Sequence, residues 1–150
     1  MMEKRKPLPP TYFNSSIFLI ILIHFIVPGK IIISFPWNLS GIIPVIIGAV
    51  LNLMTDREFK INNTTVKPFE KSSILITSSV FKISRNPMYL GMVLVLIGIS
   101  IFLGSVTPYV VVILFTVLIN VLFIKTEEKM LAETFGDSWL EYKKKTRRWI

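Results

Sequence analysis

The chain has 150 residues, 52% of them apolar and only 17% charged, and its 17 Lys and Arg against 9 Asp and Glu give a net charge of +8. Soluble domains carry about a quarter charged residues, so this composition points to a membrane protein. With no cysteine and one histidine, His24, the sequence offers no disulfide framework, thiol nucleophile, metal centre or Ser/His/Asp triad.

The apolar residues fall in four blocks, at 17–35, 39–54, 88–103 and 109–124. A helix that crosses the hydrocarbon needs about 20 residues, so each block borrows its flanks. The predicted spans are 16–35, 38–54, 87–104 and 107–124. The first follows Lys4, Arg5 and Lys6, a pattern shared with signal peptides. Its apolar run ends in Val-Pro-Gly-Lys rather than a small-residue cleavage site, which favours a retained helix. Residues 55–87 are expected to form a long loop, with a turn signal at Asn62-Asn63-Thr64-Thr65 and a breaker at Pro68. The third and fourth spans are joined by a short turn near 104–108. A C-terminal helix over 125–146 follows, with Met130, Leu131, Phe135 and Trp139 on one side and Glu133, Asp137 and Glu141 near the other. Gly136 is a candidate interruption.

All basic residues except Lys30 precede the first block, lie between the second and third, or follow the fourth. Four crossings put those segments on one face, and the positive-inside rule makes that face cytoplasmic, both termini included. Topology and contact with anionic lipid then account for the net charge, and no nucleic-acid partner is needed. The expectation is an all-α, single-domain helical bundle over 1–150, with about four transmembrane helices and a cytoplasmic C-terminal helix.

Arg85-Asn86-Pro87-Met88-Tyr89-Leu90-Gly91 introduces the third span, and Glu127-Glu128 follows the fourth. A helical hairpin sets the start of one helix beside the end of the next. Arg85, Asn86 and Tyr89 are therefore expected next to Glu127 and Glu128 at one membrane boundary. Carboxylates hold an ammonium or the hydroxyls of a ribose, and an aromatic face attracts a cation. Pro87 suits a first helical position, and Gly91 permits close approach of a helix or a ligand. Taken singly, Glu127 and Glu128 read as a solvated helix face and Tyr89 as an interfacial anchor; only the combination carries the functional reading. His24 reads as a packed or headgroup-facing residue, Asn52 and Asn120 as helix-to-helix hydrogen bonders, and Trp37 and Trp149 as interface anchors.

The ordered set of Arg-Asn-Pro-Met-Tyr-Leu-Gly, a hydrophobic hairpin, Glu-Glu-Lys-Met-Leu-Ala-Glu-Thr-Phe-Gly-Asp, then Tyr142 and Arg147-Arg148-Trp149 resembles the integral membrane methyltransferase superfamily. That superfamily contains isoprenylcysteine carboxyl methyltransferases and phospholipid N-methyltransferases. The likeness spans about 64–150 and includes Thr64-Thr65-Val66-Lys67-Pro68. It implies S-adenosylmethionine as methyl donor, with Asn86, Pro87, Tyr89, Gly91, Glu127 and Glu128 as its binding residues and a lipid-like amphiphile as acceptor. Asn86 stands where the isoprenylcysteine enzymes have His, and Asn-Pro-Met-Tyr is more like the phospholipid branch. A carboxylate acceptor needs an arginine partner, from Arg85, Arg147 or Arg148; an amine acceptor needs a base, Glu127 or Glu128. Arg85, Glu127, Glu128 and Arg147 are accordingly the catalytic candidates. Two competing readings are an NADPH-dependent membrane sterol or steroid reductase, similar at its C-terminal end, and a non-catalytic protein on the same scaffold.

Overall fold

The computed structural model describes residues 7–27, 29–64 and 72–150. Lys4, Arg5, Lys6, Lys67 and Lys71 and the 65–68 part of the Thr-containing segment lie outside them. Among the described residues five α-helices follow in order: α1 Pro9–Ile26, α2 Ile42–Ile61, α3 Pro87–Leu103, α4 Pro108–Ile119 and α5 Lys125–Lys145. The described residues form no strand; Ile31 and Ser105 make an isolated antiparallel bridge. The stretches Pro9–Ile26, Trp37–Ile61 and Pro108–Lys145 are long and apolar enough to cross a membrane, with the shorter apolar helix Pro87–Leu103 among them. The protein is an all-helical membrane bundle.

Local signals explain where the helices depart from the apolar blocks. α1 starts at Pro9, ahead of its block, because proline at the first helical position loses no needed hydrogen bond. It stops at Ile26, short of Phe35. The rest of that block satisfies its backbone elsewhere: Ile32 and Ile33 donate to the Gly104 carbonyl, and Val106 donates to that of Lys30. At this end of the bundle His24 Nδ1 lies 2.7 Å from Ser105 Oγ. α2 is led in by a 3₁₀ turn, Trp37–Gly41, and runs past Met54 to Ile61. The first seven residues of the expected loop are therefore helical. α3 matches its block closely, with Pro87 at its first position and Gly104 closing it in the left-handed conformation, φ 76°.

α2 and α3 run antiparallel with their backbones in direct contact. Gly41, which closes the 3₁₀ turn ahead of α2, faces Gly98, and Gly48 of α2 faces Gly91; Gly91 and Gly98 stand seven residues, about two turns, apart on one face of α3. A Cβ added at Gly91 would lie 2.6 Å from Asn52 Oδ1 and 2.7 Å from the Gly48 carbonyl. Small residues that admit close backbone approach are a recurrent basis of helix association in lipid.

α4 continues through a π turn, Asn120–Ile124, into α5, which bends at Gly136 (φ 49°, ψ −119°). Two cores result. The first joins Ile20 of α1, Tyr89, Met92 and Leu96 of α3, and Val111, Phe115, Ile119 and Phe123. The second seats the C-terminal helix, through Trp139 and Tyr142, on Ile76, Val80 and Phe81. The Tyr142 hydroxyl fixes that seat by donating to the Phe81 carbonyl at 2.6 Å.

Candidate functional site

The start of α3 and the end of the α4 apolar run meet at one depth. Pro87 begins α3 and turns Tyr89 inward within the first turn. The apolar run of the next helix stops at Ile124, and Glu127 and Glu128 follow within one turn. The Tyr89 hydroxyl donates to Glu127 Oε1 at 2.7 Å. Among the described residues no cation pairs with Glu127.

Glu128 has the opposite environment. Its side chain is 10% exposed and its two oxygens are taken by two arginines. Arg85 Nη2 donates to Oε1 at 3.0 Å, Arg148 Nε to Oε1 at 3.1 Å, and Arg148 Nη2 to Oε2 at 2.6 Å. Burial by itself raises the Glu128 pKa, but the Arg148 hydrogen bond and the charges of Arg85 and Arg148 outweigh it and hold the carboxyl below its ordinary range. The same hydrogen bond raises the Arg148 pKa further. Both shifts favour the charged forms of Glu128 and Arg148.

The arginines reach Glu128 because the C-terminal tail folds back. Thr146 leaves α5 in extended conformation (φ −125°, ψ 133°), and the residues after it lie against the segment ahead of α3. The Arg85 N–H donates to the Arg147 carbonyl at 3.0 Å. Ser84 Oγ and Asn86 Nδ2 both donate to the Arg148 carbonyl at 3.1 Å. Arg85 Nη1 donates to the Lys143 and Thr146 carbonyls, each at 3.2 Å, and its guanidinium lies 5.6 Å from the centre of the Trp139 ring. Arg148 Nη1 also lies 3.4 Å from Asn120 Oδ1 in the π turn.

The hairpin thus brings together Tyr89 with Glu127 and Arg85 with Glu128, as the spacing predicts. Asn86 does not join the carboxylates; its side chain holds the tail. Gly91 faces α2 and Asn52, on the far side of α3 from Glu127. Arg147 is exposed, and its neighbour Arg148 is the residue on Glu128. Sequence reasoning passed over Ser84 and read Asn120 only as a helix-to-helix hydrogen bonder. The π turn at Asn120 is a conformation that often accompanies functional sites, but it leaves no composition signal.

A family model described as "Phospholipid methyltransferase" matches residues 37–138. A protein of Haemophilus influenzae described as uncharacterized is 40% identical over 63 residues, which cover 42% of this chain and 100% of that protein. The "Protein-S-isoprenylcysteine O-methyltransferase" of Schizosaccharomyces pombe is 33% identical over 78 residues, covering 50% of this chain and 32% of that enzyme. No solved structure matches the chain.

Proposed function

Because the chain belongs to the phospholipid methyltransferase family, we propose that this membrane methyltransferase uses S-adenosylmethionine to methylate the polar head of a lipid dissolved in the same bilayer. The observation that carries the proposal is Glu127: a carboxylate at the end of an apolar run, bonded to a tyrosine hydroxyl, with no cation against it among the described residues. A negative charge beside an aromatic ring fits the positively charged end of such a cofactor. When bound, S-adenosylmethionine supplies an electrophilic methyl group on its sulfonium.

The residues divide their work. Tyr89 orients Glu127 by its hydrogen bond, and both serve cofactor binding. Glu128 is committed to Arg85 and Arg148 and fixes the tail over the site. Asn86 secures the same tail, Pro87 sets the start of α3, and Gly91 lets α2 approach. Buried placement also excludes water and strengthens each electrostatic contact. Arg85 and Arg148, the nearby guanidinium groups, are spent on Glu128, which leaves a carboxylate acceptor without a partner there; Arg147 is turned outward. An amine head is favoured. It must lose a proton before its nitrogen is methylated, and Glu127 is the carboxylate available to take it.

Replacing Glu127 by Gln tests this reading. A charged hydrogen bond contributes about 1.5–3 kcal/mol, so labelled S-adenosylmethionine should bind about ten- to a hundredfold more weakly. Glu133→Gln is the comparison, because Glu133 is exposed and only 3.9 Å from the exposed Lys129. Equal losses at both positions would reduce Glu127 to a solvated helix face.

The distribution of basic residues supports a cytoplasmic location for the site and both termini. A single cysteine introduced near either end of this cysteine-free chain should react with an impermeant thiol reagent only from the cytoplasmic side. Reaction from the opposite side would reverse the assignment.

A further inference from the structure

A cleft of about 650 Å³ lies between the second half of α5 and the segment that leads into α3, and its lining includes none of Tyr89, Glu127 and Glu128. A volume of that size accommodates a small organic ligand. Leu75 and Phe135 supply apolar lining and Ser138 a hydroxyl; Phe135 and Ser138 flank the bend at Gly136. Each of the two segments also contributes a lysine. Lys82 ends the 3₁₀ turn Ser79–Lys82, and Lys145 ends α5. Both are exposed, and among the described residues neither pairs with a carboxylate. Glu141, about one turn before Lys145, is the acidic residue of the lining, so two cations face one anion and the cleft is net positive.

The same two segments set the depth of the cleft. Lys82 stands shortly before Pro87, where α3 enters its apolar run. Arg85 Nη1 donates to the Lys143 and Thr146 carbonyls, so the end of α5 lies at the level of that entry. Ile83, next to Lys82, is 57% exposed. A cation beside an uncovered apolar side chain at the start of a membrane helix fits the headgroup layer, where anionic lipids present their phosphates. Lysine binds phosphate as a point charge. Two lysines and a serine hydroxyl therefore suit a phosphate ester, and Leu75 and Phe135 suit the apolar part attached to it.

We propose that this cleft binds the phosphate of an anionic phospholipid, held between Lys82 and Lys145, with Leu75 and Phe135 against the apolar part of the same molecule. It is a second lipid site, separate from the acceptor, and it stands whether or not Glu127 holds a cofactor.

The test measures binding of radiolabelled dihexanoyl-phosphatidylglycerol to the full-length protein in a nonionic detergent at fixed ionic strength. Lys82→Gln and Lys145→Gln should each weaken binding about fivefold, the equivalent of about 1 kcal/mol per cation at a membrane surface. Glu141→Gln removes the opposing charge and should tighten binding about two- to fivefold, a gain that no folding defect can produce. Lys144→Gln, exposed on α5 but outside the lining, should bind as the wild type does. Unlabelled phosphatidylglycerol should displace the label, whereas inorganic phosphate and dihexanoyl-phosphatidylcholine at the same concentration should not. Equal losses at Lys144 and at the two cleft lysines would reduce the binding to diffuse surface charge and overturn the proposal. Displacement by inorganic phosphate as effective as that by the lipid would also overturn it, because the ligand would then be a free anion. Unchanged or weaker binding in Glu141→Gln would remove the cleft from the account altogether.

Discussion

Glu128→Ala is expected to destabilise the protein by about 3 kcal/mol, at the lower end of the 3–5 kcal/mol range for breaking a buried ion pair. The loss comes from what remains. Arg85, 7% exposed, would keep its charge and lose its carboxylate, although the Lys143 and Thr146 carbonyls still accept from it. That retained solvation places the estimate at the low end. Arg148, 35% exposed, can turn to water at little cost. For a chain of this size the change corresponds to a fall of about 6–12 °C in the apparent melting temperature measured in detergent. Adding Arg148→Ala should cost little more, because both substitutions remove the same bond. An unchanged melting temperature would mean that the trio contributes nothing to holding the tail.

The parts of this arrangement visible in the sequence are those with local signals. α3 was legible nearly to the residue because Pro87 and Gly104 punctuate an apolar run at both ends. The ends of α1 and α2 were not, because hydropathy measures affinity for lipid and not helicity. In α1 the apolar residues continue after the helix stops; in α2 the helix continues through Asp56, Arg57, Glu58 and Lys60 after the apolar residues stop. Hairpin geometry foretold the Tyr89–Glu127 and Arg85–Glu128 proximities, since start and end of consecutive antiparallel helices share a depth. It could not foretell which arginine enters. Beyond Lys145 the chain is extended, and helical periodicity no longer says whether Arg147 or Arg148 faces inward. The π turn at Asn120 adds a phase shift that a 3.6-residue period does not contain.

The glycine contacts give the second large effect. Gly48→Val should leave little correctly folded protein, whereas Ala49→Val, on the exposed side of α2, should be tolerated. A Cβ at Gly48 would overlap the Gly91 carbonyl and lie 2.9 Å from Val95 Cγ2 and 3.0 Å from the Val95 nitrogen. Two of those three atoms are backbone and cannot swing aside, so α2 and α3 must separate. Overpacking a core costs about 1–3 kcal/mol when side chains can adjust; here the helices themselves must move, and the cost lies at or above that range. The same displacement carries Pro87 and Tyr89 with α3, so binding of the proposed cofactor, S-adenosylmethionine, should fall even in the fraction that folds. The measurement is the monodisperse fraction by size exclusion in detergent, with cofactor binding on the recovered peak. Wild-type yield and affinity for Gly48→Val would show that the α2–α3 contact does not position the site.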